Sequence, residues 1–427
     1  MTVARTRATR GPTSLLEEAR LTGEFADWHN LLYEVAWLTG RLDVAAVRDA
    51  WWRVCLRHDV MRRTYVSADE ACTYDDALSE VEFHTAGTDA EAIEIMRRVL
   101  GTPFDLYGPG FSRIVVVQRD ERRHLLGIAV DHVISDGMSW FLLSRDFAET
   151  YGRALAGDAA DPAERGTYRS FAAQQRSDFA GAWGRKRRAF WRSYTADFGM
   201  LPPPFPVGGR REGEPSSTVV GRALPPDARA KVHELSLRAG ATPFAVVASG
   251  MLAAMHEVTG EPVVGLTTNH HGRMLPGTSR TLGLFTQTVP LHLRKEKGTP
   301  LETIRDVFLR SLDVAEHILP LRVAGSAWSE DLLSPDREAG VFVALADETP
   351  SDSGLPLAGI VVEKVELEFP GAKRAPETVV VSWNLDDAGP QLVAHYNDEV
   401  FPDATVEHLL GAARDFVFPD EACAGAG

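Results

Sequence analysis

The chain has 427 residues, of which 44% are hydrophobic and 25% charged, and its formal net charge is -15 at pH 7. This length exceeds the size at which one hydrophobic core stops growing, so two domains are expected, and the composition is that of an ordinary globular protein. The acidic balance argues against nucleic-acid binding, and no apolar run approaches the roughly 20 residues that span a bilayer.

The N-terminus and the cysteines bear on location. Residues 1–10 are basic but lack the apolar run of a signal peptide. Cys55, Cys72 and Cys423 are an odd number of thiols without metal-type spacing, which is typical of reduced cysteines. We therefore expect a cytoplasmic protein that binds neither nucleic acid nor a membrane.

The first half of the chain is predicted to mix helices and strands. Asp43, Thr88 and Thr167 each stand where a side-chain oxygen can cap a helix. Apolar residues at helical spacing and β-rich runs place the elements between these caps. The predicted helices are residues 42–57, 88–100, 138–156 and 168–198, and the predicted strands are residues 113–118 and 124–130.

A break follows the last of these helices. Residues 201–209 contain four prolines and two glycines, which can continue neither a helix nor a central strand. We therefore predict an N-terminal domain over residues 1–200, a linker over residues 201–217 and a C-terminal domain over residues 218–427.

The second half repeats the mixture of elements. Its predicted helices are residues 227–239, 242–259, 301–317 and 403–416, and its predicted strands are residues 262–268, 288–293, 341–346, 379–384 and 391–397. No short-period repeat is present, so the sequence predicts a two-lobed α/β (α+β) protein and not a solenoid.

The most informative stretch is residues 131–137, Asp-His-Val-Ile-Ser-Asp-Gly, between a predicted strand and a predicted helix. A strand-to-helix turn lets side chains point into a cleft and leaves backbone N–H groups unpaired. Histidine titrates near physiological pH, so His132 is suited to moving a proton during acyl transfer.

Several motifs in the same order resemble a condensation domain of nonribosomal peptide synthesis, within the chloramphenicol-acetyltransferase-like, CoA-dependent acyltransferase superfamily. Residues 131–137 resemble the family's HHxxxDG signature, and residues 57–62 resemble its RHExLR segment. Further matches are GRLD at 40–43, PFDL with GP at 103–109, a YxDFAxWQ-like helix at 168–176, and GLFTQTVPL at 283–291, which resembles GxFxNTxPLR. The resemblance extends from about Phe25 to Val417.

The resemblance implies two chloramphenicol-acetyltransferase-like lobes in a V-shaped pseudo-dimer, with an active-site tunnel at their junction. A nucleophile, usually an amine, would attack a thioester carbonyl. No adenylation or carrier-protein sequence is recognised, so we expect a freestanding enzyme that a peptidyl or acyl carrier protein serves in trans. The acceptor would be a small-molecule amine or alcohol, or a second carrier protein. A phosphopantetheine arm would arrive with the substrate, and no bound cofactor is expected.

Roles for the signature residues follow from the same resemblance. His132, the second histidine of the signature, would orient or deprotonate the nucleophile. Asp136 would hold the turn through a salt bridge with Arg62 or Arg273. Gly137 would permit close backbone approach or aim an N–H at the oxyanion, although a simple turn glycine is equally compatible.

The first histidine of the signature is replaced by Asp131. We expect Asp131 to lie near substrate or to accept a hydrogen bond from the backbone near the turn. Adjacent strand residues point to opposite faces, so direct pairing with His132 is not expected. Asp131, Asp136 and Ser139 also match the DxxxxDxxS signature of heterocyclisation domains, but His132 and Gly137 favour condensation.

Four further residues are predicted to contact substrate. Ser139 would line the pocket or cap a helix, and His271 follows His270 in a polar cluster. Thr288 belongs to the motif at 283–291, and Trp383 lies in a segment that faces the acceptor pocket in relatives, although a buried aromatic is the commoner explanation for Trp383. Adjacent histidines rarely bind one ion, so no metal site is predicted.

Two other functions remain open. The first is an ester-forming acyltransferase of the same fold that uses a diffusible alcohol or a coenzyme A thioester. The second is a catalytically inactive domain that recruits a partner enzyme, which the replacement at Asp131 suggests.

Overall fold

A computed structural model describes residues 7–22, 31–158, 167–198, 218–295, 298–320, 340–346, 356–367, 378–386, 389–398 and 400–419. The contacts within this part of the chain form two compact units. Unit 1 contains the described residues up to Gly184 together with 271–286 and 356–367, and unit 2 contains the rest.

The two units do not follow a single division of the chain. Residues 271–286 and 356–367 come after the predicted break but pack within unit 1, whereas residues 185–198 come before it and pack within unit 2. The predicted linker at 201–217 lies outside the described residues. The units are defined by contacts between segments that are distant in sequence, whereas the composition of the chain indicates only where a local element is interrupted.

The helices are α1 (Leu15–Thr22), α2 (Val44–Arg57), α3 (Asp89–Leu100), α4 (Gly137–Leu155), α5 (Tyr168–Ala180), α6 (Ala182–Phe198), α7 (Ala228–Ala239), α8 (Pro243–Thr259), α9 (Pro300–Glu316) and α10 (Asp403–Val417). The strands are β1 (Ala8–Pro12), β2 (Leu31–Thr39), β3 (Arg63–Tyr65), β4 (Glu70–Tyr74), β5 (Val81–Thr85), β6 (Ser112–Gln118), β7 (Arg123–Asp131), β8 (Thr218–Ala223), β9 (Val263–His270), β10 (Gln287–Arg294), β11 (Val341–Ala346), β12 (Val361–Lys364), β13 (Val379–Asn384) and β14 (Gln391–Tyr396).

Side-chain caps begin three helices of unit 1 where the sequence predicts them. Asp43 accepts from the N–H of Ala46 at 2.9 Å, and the hydroxyl of Thr88 accepts from Glu91 at 3.1 Å. Thr167 caps α5 in the same way. The predicted helix over residues 168–198 is two helices, because the chain turns to an extended conformation at Gly181.

A five-stranded sheet carries the core of unit 1, in the order β12–β2–β7–β6–β5. Neighbouring strands are antiparallel except for β5 and β6. Strand β7 is almost wholly buried, since helices cover both of its faces. A side chain at Gly127 would meet Met96 of α3. This close packing fixes the end of β7, where Asp131 pairs in register with Leu31.

A smaller sheet of unit 1 has the order β1–β4–β3 and is antiparallel. Unit 2 is built on a six-stranded sheet in the order β10–β9–β11–β13–β14–β8. Strand β11 is parallel to both of its neighbours, and the other pairings are antiparallel. Helix α8 is buried along most of its length. No single described helix is long and apolar enough to cross a membrane, although α7 and α8 together meet those criteria with a bend of 95° between them.

Candidate active site

The turn that carries His132 joins the end of β7 to the start of α4. Residues His132–Ile134 form one turn of 3-10 helix, and the side chains of Val133 and Ile134 are buried in the core of unit 1. The Asp131 carboxylate caps this turn, since its Oδ1 accepts from the N–H of Val133 at 2.8 Å. The imidazole of His132 is only partly buried. The turn is therefore fixed by its neighbours while its histidine stays accessible.

Asp131 is held from α1. The Nη2 of Arg20 lies 3.2 Å from Asp131 Oδ2, and the two side chains are 6% and 3% exposed. Burial raises the pKa of Asp131 and leaves it above its ordinary value, although Arg20 and the Val133 amide lower it. The predicted hydrogen bond to the backbone is confirmed. Both carboxylate oxygens are engaged inside the protein, so this side chain is unavailable to substrate, contrary to the prediction.

Asp136 accepts four hydrogen bonds. Its Oδ1 accepts from the N–H of Ser139 at 2.8 Å and from Arg273 Nη2 at 2.9 Å. Its Oδ2 accepts from the N–H groups of Phe285 and Thr286 at 2.9 and 3.1 Å. Burial raises the pKa of Asp136, but Arg273 and the amide donors outweigh burial and leave it below its ordinary value. Asp136 is therefore an ionised structural group and a poor base.

Arg273 gathers the segment of residues 271–286 around this carboxylate. Its Nη1 donates to the carbonyls of Thr278 and Thr281, each at 2.6 Å. Its Nη2 also donates to Ser139 Oγ at 2.6 Å, and the guanidinium lies over the Phe285 ring, 4.1 Å from its centre. The salt bridge predicted between Arg273 and Asp136 is confirmed.

Arg62 was the other predicted partner of Asp136, and this prediction is wrong. Arg62 donates instead to the main-chain carbonyls of Cys55, Leu56 and Tyr74. Two of these carbonyls belong to the last turn of α2, where they have no intrahelical donor. The arginine that follows α2 therefore satisfies the end of that helix.

Ser139 is fully buried in the same network. Its hydroxyl donates to the carbonyl of Gly283 at 2.6 Å and accepts from the N–H of Gly283 at 3.0 Å. Asp136 is the capping residue of α4, and Ser139 supplies the amide that it caps. Ser139 thus neither lines a pocket nor caps the helix, contrary to the prediction.

The electrostatics around His132 favour a neutral imidazole. Burial lowers the pKa of His132, while Asp131, Asp136 and the Ser135 backbone raise it and Arg20 lowers it further. A neutral ring has one nitrogen free to take a proton. Gly137 is exposed, and a Cβ added there would meet nothing within 4 Å. Its N–H lies at the first position of α4, which has no acceptor within the helix.

The remaining predicted contacts are divided between the units. His271 is exposed in unit 1, and its Nδ1 accepts from the N–H of Arg273 at 3.1 Å. Thr288 is exposed in unit 2, and its hydroxyl lies 3.3 Å from Asn269 Oδ1. Trp383 is 0% exposed, because strand alternation places it on the buried face of β13. Its predicted contact with substrate is therefore wrong. No group of His, Cys, Asp or Glu side chains among the described residues has the arrangement of a metal site.

Three features of this site were not predicted from the sequence. Arg20, the amides of Phe285 and Thr286, and the carbonyl of Gly283 all reach the turn from more than 100 residues away. The motif at residues 283–291 marked one of these segments as important, but no local signal marked Arg20.

A comparison with protein-family models identifies the family of this chain. The family model described as Condensation domain matches residues 30–319. The AMB antimetabolite synthetase AmbE of Pseudomonas aeruginosa is 29% identical in an alignment 297 residues long, which covers 65% of this chain and 14% of AmbE. This chain therefore spans a small part of that relative.

Solved structures show the same fold. The condensation domain from the monacolin K polyketide synthase MokA has a TM-score of 0.75 at 16% identity, covering 96% of each chain. The X-domain of teicoplanin biosynthesis, solved in complex with OxyB, has a TM-score of 0.76 at 20% identity, covering 97% of this chain and 94% of the other.

Proposed function

This chain belongs to the condensation-domain family, and from that premise we propose that it joins an acyl or aminoacyl thioester to an amine or alcohol. The products are an amide or ester and a free thiol. The observation that carries the proposal is the partly exposed imidazole of His132 on a turn that Asp131 and Asp136 hold from two sides. A fixed base beside bound reactants lowers the barrier by position as well as by proton transfer.

In the proposed reaction, His132 is the group that moves the proton. The nucleophile attacks the thioester carbonyl carbon as the neutral ring of His132 takes or orients its proton. The carbonyl electrons collect on oxygen, and the N–H of Gly137 is available to stabilise that charge. Collapse of the intermediate breaks the carbon–sulfur bond, and the proton passes to the departing thiolate. Asp136 stays ionised and keeps the turn in place.

The donor is proposed to be carried on the phosphopantetheine arm of a peptidyl or acyl carrier protein, which is supplied in trans. The arm is part of the substrate and is not held by this chain between turnovers. The acceptor is a small amine or alcohol or a second carrier-bound group. His271 and Thr288, both exposed, are the remaining candidates for contact with the substrates.

The proposal is tested by replacing His132 with alanine. Turnover of a carrier-bound donor should fall by about 10²- to 10⁴-fold, the range for loss of acid–base catalysis. His408→Ala is the matched control, because His408 is an exposed histidine of α10 in unit 2 that pairs with Glu257. It should leave turnover unchanged. Equal turnover in wild type and His132→Ala, with both folded, would refute the proposed role.

The same assay separates the choice of donor. A carrier-bound thioester should outcompete the corresponding coenzyme A thioester at equal concentration. Faster reaction with the coenzyme A form would favour the ester-forming acyltransferase instead.

The recruitment function is a second candidate, which the replacement of the first signature histidine by Asp131 favours. The X-domain that shares this fold forms a complex with OxyB. A recruitment domain would bind a partner enzyme with equal affinity before and after His132→Ala, and it would show no condensation with any donor.

A further inference from the structure

We propose that Arg20 is a positioning residue for His132, which acts through its buried ion pair with Asp131. The pair fixes the turn that carries the imidazole and sets the charge beside it. The catalytic consequence rests on the proposed function, whereas the effect on the imidazole itself does not.

The geometry makes Asp131 a link between α1 and the turn. One carboxylate oxygen accepts from Arg20 at 3.2 Å and the other from the N–H of Val133 at 2.8 Å. Val133 immediately follows His132. A displacement of Arg20 therefore reaches the backbone of the catalytic turn through a single side chain.

Arg20 itself stands on an anchored helix. Glu17, one turn earlier on α1, is fully buried and accepts from Arg63 Nη2 at 3.2 Å and from the Tyr65 hydroxyl at 2.8 Å. It also accepts from the N–H of Ser14 at 2.6 Å. These buried charge-assisted bonds hold α1 to the three-stranded sheet, so Arg20 approaches Asp131 from a rigid support.

Burial explains why the two residues act as one unit. An ionised carboxylate as buried as Asp131 is costly without a positive partner. A histidine at this position, as in the family signature, would not require a cation. The replacement by aspartate in this chain does require one, and Arg20 supplies it.

Three charged groups of unit 1 act on the His132 imidazole among the described residues, and a fourth acts through one of them. Asp131 lies at the end of β7, Arg20 comes from α1, and Asp136 stands at the start of α4. Arg273 of the 271–286 segment acts through its bond to Asp136. The Asp131 carboxylate favours a protonated His132, and the Arg20 guanidinium opposes it. The two members of the pair therefore push the protonation of His132 in opposite directions.

The test is a histidine titration by NMR on the full chain labelled with ¹³C at histidine, with the His132 signal assigned by its loss in His132→Gln. Asp131→Asn leaves a buried guanidinium near the ring, so the pKa of His132 should fall below the wild-type value. Adding Arg20→Met to Asp131→Asn removes that charge and should return the pKa toward wild type. Arg20→Lys alone keeps the charge and should leave it near wild type.

The double variant also guards against loss of folding, since replacing a whole buried ion pair by neutral groups of similar volume is often tolerated. An unchanged His132 pKa in folded Asp131→Asn would overturn the inference. So would equal pKa values in the single and double variants. A purely structural pair would lower activity without this reversal.

Failure of the inference is distinguishable from failure of the proposed function. The acid limb of the kcat/KM profile should move to lower pH in Asp131→Asn and return in the double variant, in step with the NMR titration. If the pKa moves as expected but wild type condenses no donor, the proposed function fails and the inference stands. If His132→Ala abolishes turnover but the pKa of His132 does not change in Asp131→Asn, the inference fails and the proposed function stands.

Discussion

Replacing Asp136 by asparagine is expected to release the 271–286 segment from the turn that carries His132. Asparagine keeps one oxygen, which can still accept from Ser139 and Arg273. Its amide nitrogen, however, would stand against the N–H groups of Phe285 and Thr286, where the carboxylate now accepts at 2.9 and 3.1 Å. These two N–H donors would then face the donor nitrogen of the asparagine amide. The guanidinium of Arg273, which is 4% exposed, would also lose its charged partner.

The magnitude follows from the burial of this pair. Removing one partner of a buried ion pair costs about 3–5 kcal/mol, mostly because the remaining charge is left uncompensated. The matched control is Asp89→Asn. Asp89 is 51% exposed and pairs with two partly exposed arginines, Arg123 at 3.0 Å and Arg119 at 3.3 Å. An exposed pair of this kind contributes about 0–1 kcal/mol, so the same chemical change should have little effect there.

Amide hydrogen exchange gives the local readout. Peptides that contain Phe285 and Thr286 should exchange about 10²- to 10⁴-fold faster in Asp136→Asn, while peptides from α8 in unit 2 stay unchanged. Urea unfolding followed in parallel reports the loss of stability. Wild-type exchange at these two amides in the folded variant would refute the reasoning, because it would mean that the carboxylate does not hold them.

Three further outcomes are expected. Gly283→Ala should unfold or displace the 271–286 segment, since the added Cβ would overlap the Tyr168 ring. The Tyr168 hydroxyl would then lose its hydrogen bond to the carbonyl of Leu284, and amide hydrogen exchange in that segment should become faster. Burial lowers the pKa of His292 to about 3, so this histidine binds a proton below about pH 6.5 in the unfolded chain but not in the folded one. The free energy of unfolding of unit 2 should therefore fall as the pH drops from about 6.5 to 3. His292→Gln should flatten this dependence in urea titrations at each pH. Burial raises the pKa of the Cys55 thiol to about 12, so iodoacetamide at pH 8 should modify Cys55 only after unfolding. Peptide mass spectrometry measures this modification, and rapid modification of Cys55 in the folded protein would contradict the buried environment.

Much of the fold could be predicted because its signals are local. Helices α2, α3 and α5 begin at side-chain caps that are visible in the sequence, and α4 follows a predicted turn. Strands β6 and β7 carry β-rich runs on both sides of a polar turn. Seven strands and one helix were not predicted, namely β1, β2, β3, β4, β5, β8, β12 and α1. All of them except β2, which has nine residues, are three to eight residues long and give too little periodicity.

The site was predictable where its residues are adjacent or belong to a motif of the family that the sequence resembles. The turn at His132 and the Arg273 partner of Asp136 are confirmed. The environment of each side chain was not, because burial depends on distant segments. Asp131, Ser139 and Trp383 were predicted to contact substrate, and all three are buried. Arg20 pairs with Asp131 across 111 residues of sequence, a contact that no local pattern reports.

The interleaving of the chain between units 1 and 2 also has a consequence for biosynthesis. When the ribosome has made the first 200 residues, Asp136 is present but Arg273 and the amides of Phe285 and Thr286 are not. Strand β12, which completes the large sheet of unit 1 beside β2, follows only at residues 361–364. We therefore expect unit 1 to reach its native state only after residue 364 has been made. A fragment that ends before residue 271 should remain loosely packed around a buried carboxylate that lacks its arginine.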